Sequence, residues 1–85
     1  MDAIELEYTD ETEAIINRQT DVRKLRRLRM RWVGHRLQAE IVLAVDPELT
    51  TVQSHAVAEE LRRELFHQFP TMSDVMVHVD AGLCG

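Results

Sequence analysis

The sequence contains a single cysteine, Cys84, so a disulfide within the chain is excluded. Only four residues are aromatic, which means that the core must be built mainly from aliphatic side chains. No apolar run approaches the roughly 20 residues that a membrane-spanning helix requires. The first residues are acidic, whereas a secretory signal begins with basic ones. These absences favour an intracellular, water-soluble chain.

Motifs of the common enzyme classes are also missing. The sequence has no glycine-rich phosphate loop, no Gly-x-Ser-x-Gly and no Cys-x-x-Cys. A histidine and an aspartate do lie close together near the end of the chain, but nothing in the sequence places a serine or cysteine nucleophile against them. We therefore expect a protein that is not an enzyme.

Size and charge narrow the possibilities further. A chain of 85 residues forms one small domain, for which dimerisation or a bound metal is a natural reinforcement. The net charge of −5 is unevenly spread, since six acids fall within the first 13 residues and eight of the ten basic residues lie between Arg18 and Arg36. The basic segment could be a nucleic-acid strip or a solvated face. The acidic total and the lack of interleaved stacking aromatics favour the solvated face, so no nucleic-acid partner is expected.

The first part of the chain predicts a short helix. Thr9 is a suitable cap, and the acids that follow it suit the positive end of the helix dipole. The helix is expected to end between Arg18 and Thr20. Residues 1–8 then form a flexible lead-in, residues 9–81 the folded domain and residues 82–85 a flexible tail.

A β-hairpin is predicted next. Leu28–Trp32 and Arg36–Leu43 both alternate apolar with polar residues, which is the period of a strand with one buried face. Gly34 can adopt the positive φ of a tight turn. A two-residue turn at Val33 and Gly34 is expected to produce the pairs Trp32–His35, Met30–Leu37, Leu28–Ala39, Arg27–Glu40 and Arg29–Gln38.

A second helix and a third strand complete the pattern. Thr50 to Gln53 has the form of a capping box, and Pro70 ends the helix after Phe69. A loop over residues 71–74 leads into the strand Val75–Asp80, whose valines face the core. The order α-β-β-α-β predicts an α+β fold, an open ferredoxin-like sandwich with two helices on one face of a three-stranded mixed sheet.

Histidines and carboxylates are the residues of this sequence that could bind a metal ion. His78 and Asp80 are two apart in a strand, so both point away from the valine face, as a metal-ligand pair would. His55 lies near the start of the second helix with Glu59 one turn later. Glu40 faces outward from the second strand, and His35 follows the hairpin turn. Each of these residues is also compatible with an ordinary surface position.

Several segments together resemble the cytoplasmic C-terminal domains of cation diffusion facilitator (CDF) transporters. Leu28–Glu40 is similar to their hairpin, Asp46–Glu60 to their second helix and its lead-in, and Phe69-Pro70 with Val75–Asp80 to their last strand. The resemblance covers about residues 9–81.

That resemblance implies a dimer-forming domain on the cytoplasmic side of the cell membrane, attached to a membrane transport domain. The family exports divalent metal by proton exchange, with Zn²⁺ favoured here and Mn²⁺, Fe²⁺, Co²⁺ or Cd²⁺ as alternatives. Metal bound to the domain closes the homodimer and favours transport. The implied ligands are His55, His78, Asp80 and Glu40, with His35 a weaker candidate and Cys84 an outside one. Gln38 and Leu25 stand where relatives carry histidine, which implies fewer ligands.

Two other functions remain open from the sequence. One is a dimerisation scaffold that works without metal, and the other is a free-standing soluble metal-binding protein of the same fold. In the metal-sensing alternative, carboxylates and histidines of facing chains have no shared positive partner until a cation binds, and this keeps the two arms of the dimer apart.

Overall fold

A computed structural model describes residues 6–80 and contains five elements. They are α1 (Leu6–Asn17), β1 (Val22–Val33), β2 (Arg36–Val45), α2 (Thr51–Gln68) and β3 (Met72–Asp80). The sheet order is β1-β2-β3, with β1 antiparallel and β3 parallel to the central strand. This arrangement confirms the predicted α-β-β-α-β order and the mixed three-stranded sheet. The predicted tail and Cys84 lie outside the described residues.

Helix α1 begins at Leu6, three residues before the predicted cap at Thr9. The expectation rested on Thr9 as a cap and on the acids that follow it, and it did not consider the packing of Tyr8. Tyr8 already belongs to the helix and packs its ring against Trp32 and Phe69, with centroids 5.7 Å away in both cases. One turn later the Thr12 hydroxyl donates to the Tyr8 carbonyl at 2.9 Å. Residues 6–8, predicted as lead-in, are therefore part of the folded unit.

Strand β1 is longer than predicted because two bulges keep its apolar residues in phase. It begins at Val22, and its inner side carries Val22, Leu25 and Leu28 at a spacing of three. A regular strand has a period of two, so such a spacing would rotate these residues to opposite faces. The register shifts at Arg23 and at Arg26, and each extra residue returns the next apolar residue to the core face.

The hairpin turn lies one residue later than predicted. Gly34 has φ +64°, while His35 does not have a positive φ, so Gly34 is the first of the two turn residues rather than the second. The predicted pairs were therefore wrong by two positions along β2. The observed pairs are Val33–Arg36, Trp32–Leu37, Arg31–Gln38, Met30–Ala39, Arg29–Glu40 and Leu28–Ile41. A shift of two keeps every side chain on its predicted face.

Helix α2 starts and ends as predicted. The Thr50 hydroxyl accepts from the Gln53 N–H at 3.0 Å, and the Gln53 side chain accepts from the Thr50 N–H at 2.8 Å, which completes the capping box. Phe69 is the C-cap. Strand β3 begins at Met72, so the predicted loop over residues 71–74 was too long; Met72 is buried and pairs with Leu37.

The core lies between the two helices and one face of the sheet. Leu37, Ile41 and Leu43 of the central strand are fully buried there, together with Ile16 of α1 and Leu61 of α2. Neither described helix contributes to a core on the opposite face of the sheet. We call it the open face, and its described members include Arg27, Arg29 and Arg31 of β1, Gln38, Glu40, Val42 and Ala44 of β2, and Asp74, Met76, His78 and Asp80 of β3.

Candidate metal centre

His78 and Asp80 both lie on the open face. In the parallel ladder His78 is opposite Val42 and Asp80 is opposite Ala44. Val75 on the other side of β3 is buried, and Val77 is half-buried. Because the two residues are separated by one position in a strand, their Cα atoms are about 7 Å apart. An imidazole and a carboxylate are thus presented side by side, as the sequence predicted.

His55 reaches the same region from the other side of strand β3. It lies in the second turn of α2 and is exposed. A depression of about 430 Å³ is lined by both His55 and His78, together with the apolar side chains of Leu49, Val77 and Val79 among others. The His55 Nε2 atom is 3.9 Å from Glu59 Oε2, which is an exposed contact between successive turns. Both predicted histidines therefore line one depression at the edge of β3, His55 from the helix side and His78 from the strand.

Glu40 is a diagonal neighbour of His78 on the open face. It pairs with Met76, the residue two before His78. Its expected partner was Arg27, but the corrected register places Arg29 opposite instead, with Nη1 4.0 Å from Glu40 Oε1. Asp80 is also close to a guanidinium, since Arg26 Nε lies 3.8 Å from Asp80 Oδ2. Both candidate carboxylates therefore have a positive partner within their own chain.

His35 is not brought to this region within one chain. It occupies the hairpin turn, where it is exposed. The next residue, Arg36, is six positions before Val42, the partner of His78, which corresponds to about 20 Å along the strand. A single ion therefore cannot bind His35 and His78 of the same chain.

The donors of one chain are of suitable chemistry but too few. Imidazole and carboxylate are ligands of Zn²⁺ and similar divalent ions. Among residues 6–80, however, no three His, Cys, Asp or Glu side chains are grouped so that they could hold a metal ion. Within residues 6–80 of one chain, this region therefore offers fewer than three grouped donors.

A family profile described as "Cation efflux protein, cytoplasmic domain" matches residues 4–82. The chain belongs to this family. The resemblance noted from the sequence is thereby confirmed. Among residues 6–80 neither helix of this cation efflux domain is long and apolar enough to cross a membrane.

Two curated relatives illustrate the family. A probable cation efflux system protein of Mycobacterium tuberculosis (strain ATCC 25618 / H37Rv) is 35% identical over 78 residues, which cover 92% of this chain and 24% of that protein. The manganese efflux system protein MneP of Bacillus subtilis (strain 168) is 32% identical over 78 residues, covering 92% of this chain and 26% of that protein. The cation efflux domain thus spans about a quarter of the length of these relatives.

Solved structures of a second protein share the fold. A variant of the MamM CTD in a manganese form is 27% identical with a TM-score of 0.80, covering 91% of this chain and 99% of that one. Another variant in a cadmium form is 27% identical with a TM-score of 0.82, covering 88% and 94% respectively. These likenesses confirm the predicted fold class for the cation efflux domain.

Two arginines near the candidate ligands were missed by sequence reasoning. Arg26 was interpreted only as part of a solvated basic face, and Arg29 was expected to pair with Gln38. The spacing of three between Val22, Leu25 and Leu28 was a signal for the bulge in which Arg26 is the extra residue. The pairing of Arg29 with Glu40 required the correct turn position, which the alternation alone does not determine.

Proposed function

We propose that this chain is the regulatory and dimerisation domain of a divalent-metal exporter, attached to a membrane transport domain at its cytoplasmic side. The observation that carries the proposal is the depression lined by both His55 and His78 in a chain of the cation efflux family. Asp80 lies on the same face of β3 as His78. On this view the domain binds and responds to metal and carries out no catalysis. Export by proton exchange belongs to the membrane domain of the full-length protein.

The proposed ligand is a divalent transition-metal ion. Nitrogen and oxygen donors suit Zn²⁺ as well as Mn²⁺. The relative MneP is named for manganese, and MamM CTD variants have been solved in manganese and cadmium forms. These names do not favour Zn²⁺ over the other ions, so both Zn²⁺ and Mn²⁺ belong in the test. When bound, the ion would supply a double positive charge that imidazole and carboxylate ligands of two chains can share.

A second copy of the chain is the proposed source of the missing donors. Val52 is the most exposed large apolar residue among the described ones, at 78%. It lies in the first turn of α2, the helix that carries His55. Covering this turn with a second chain would bury apolar surface and bring another set of donors to the depression. A homodimer would thus explain both the exposed valine and the short donor count.

Calorimetric titration of the 85-residue chain with Zn²⁺ and with Mn²⁺ tests the proposal. Because loss of an outer-sphere partner already costs 10- to 100-fold in metal affinity, His78→Ala should weaken binding by at least about tenfold. His55→Ala should have a similar effect, whereas His67→Ala, an exposed histidine in the last turn of α2, should have none. Binding should also weaken in acid, since metal ligands must be deprotonated.

A metal-independent dimerisation scaffold is the second candidate function. It is favoured by the absence of a three-donor group within residues 6–80 of one chain. If neither ion binds the wild type while sedimentation shows a stable dimer, the scaffold replaces the metal-sensing proposal. A monomer that binds metal would instead favour a free-standing metal-binding protein.

A further inference from the structure

The two bulges of β1 share an unusual property. Each inserts an extra residue into the strand, each extra residue is an arginine, and each arginine lies near a carboxylate. Arg23 Nη2 is 3.3 Å from Asp46 Oδ2 at the end of β2. Arg26 Nε is 3.8 Å from Asp80 Oδ2 at the end of β3. The first carboxylate is not a candidate ligand, whereas the second one is.

The contact between Arg26 and Asp80 spans the whole sheet. Arg26 belongs to β1 and Asp80 to β3, and β2 runs between them. Neighbouring strands are about 4.8 Å apart, so the arginine must extend its side chain across the central strand. Val42 and Ala44, which lie in the path, have short side chains that leave room for it. The side chains of Arg26 and Asp80 are 29% and 36% exposed, so both are only partly hydrated.

We propose that Arg26 is an internal counter-ion for Asp80 that a divalent cation must displace, and that it thereby sets the metal concentration at which the domain responds. This inference rests on the proposed function, because it assumes that Asp80 is a metal ligand. In the metal-free chain the guanidinium of Arg26 is paired with the carboxylate of Asp80. Metal binding then requires that Arg26 leave Asp80 and remain nearby as a like charge.

Arg29 is likewise a counter-ion for Glu40, but the pair is weaker. Its Nη1 atom is 4.0 Å from the carboxylate, and the two side chains are 72% and 45% exposed, so water screens the pair more strongly.

The arginines also change the expected basis of the metal response. The sequence suggested that the ligands of facing chains have no shared positive partner until a cation binds. Within one chain each candidate carboxylate already has an arginine partner. On this proposal, competition with arginine is therefore part of the barrier that metal overcomes.

Calorimetry with Zn²⁺ and Mn²⁺ on the Arg26→Gln variant tests the inference. A positive charge about 6 Å from a divalent ion weakens its binding by about three- to tenfold, depending on the salt concentration. Arg26→Gln should therefore bind metal about three- to tenfold more tightly than the wild type, and the gain should shrink at high salt. Arg26→Lys keeps the charge and should stay within about threefold of the wild type.

Two controls separate a local effect from a change in total charge. Arg23→Gln removes the other bulge arginine and should alter metal affinity by less than about twofold, because its guanidinium is paired with Asp46, which is not a candidate ligand. In the background of Asp80→Asn, adding Arg26→Gln should produce much less tightening than it does in the wild type. Unchanged or weaker binding by Arg26→Gln, or equal tightening by Arg23→Gln, would overturn the inference while leaving the metal site intact. If no variant binds metal, the proposed function fails as well.

Discussion

Tyr8 and Trp32 meet edge to face, with ring centroids 5.7 Å apart and planes inclined by 86°. The contact joins the first helix to the last residues of β1 before the hairpin turn. Phe69, at the end of α2, lies 5.7 Å from the same tyrosine ring. Tyr8 is therefore the residue through which three separate elements are held together at one end of the domain.

Replacing Tyr8 by alanine should lower the free energy of unfolding by about 2 kcal/mol, since a half-buried ring and two aromatic contacts are lost. Urea unfolding at a fixed protein concentration measures this change. Tyr8→Phe keeps the ring and should cost less than about 0.5 kcal/mol. An equal loss in the two variants would show that the hydroxyl, and not the ring, stabilises the contact.

Gly34 should be sensitive to substitution for backbone reasons alone. Its φ is +64°, and a Cβ built on it meets nothing within 4 Å. Gly34→Ala should therefore cost about 1 kcal/mol through the strain of a left-handed conformation. Asparagine tolerates this conformation better, so Gly34→Asn should cost less. Thermal unfolding of both variants makes the comparison, and equal costs would argue against the backbone explanation.

The capping box of α2 gives a third prediction. Thr50→Ala removes the hydroxyl that accepts from the Gln53 N–H and should destabilise the chain by about 1 kcal/mol. Thr51→Ala, at the adjacent exposed position, should change stability by less than about 0.5 kcal/mol. Denaturant unfolding of the two variants checks the difference. Similar losses at both positions would mean that the cap is not the source of the stability.

Asp46 should make the free energy of unfolding depend on pH in the acid range. The Glu48 N–H donates to Asp46 Oδ1 at 2.9 Å and lowers the pKa of Asp46, as does the nearby Arg23, while desolvation opposes them. Because the pKa of Asp46 is lower in the folded chain than its unfolded value of about 3.9, its contribution is complete above that pH. It is lost as the pH falls through the folded value.

Asp46→Asn should therefore remove part of the decline in stability below about pH 4. Unfolding free energies of the variant and the wild type, measured over the acid range, should converge as the pH falls. If the gap between the two proteins stays constant with pH, the carboxylate of Asp46 does not titrate with folding.

Val52 provides a test of the dimer that does not depend on metal. Val52→Glu places a charge on the surface that the second chain is proposed to cover, and should weaken the dimer by about tenfold or more. Val33→Glu is a matched control, since Val33 is also an exposed valine, at 47%, but lies at the hairpin end. Sedimentation equilibrium measures both. Equal effects of the two substitutions would exclude the start of α2 as the interface.

The predictable part of the fold came from short-range patterns. Alternation in Arg36–Leu43 identified β2 and its buried face, and Thr50 with Gln53 marked the start of α2. The turn was missed by one residue because either neighbour of Gly34 can complete it. The start of β1 was missed because Val22, Leu25 and Leu28 follow a spacing that becomes a strand only when bulges are inserted.

The candidate site was predictable in part for the same reason. His78 and Asp80 share a face because strand geometry requires it, and this was evident from two residues of sequence. The proximity of His55 to His78 depends on how α2 packs beside β3. The pairing of Arg26 with Asp80 depends on a contact across three strands.

The sequence alone determined the order of the elements and the face on which each side chain lies, because both depend on interactions within a few residues. Only the tertiary structure decided the hairpin register, the approach of His55 to His78 and the arginine partners of Asp80 and Glu40. These features join residues far apart in the chain. The hairpin register and the arginine partners depend on one turn conformation and two bulges. The depression shared by His55 and His78 depends on the packing of α2 beside β3.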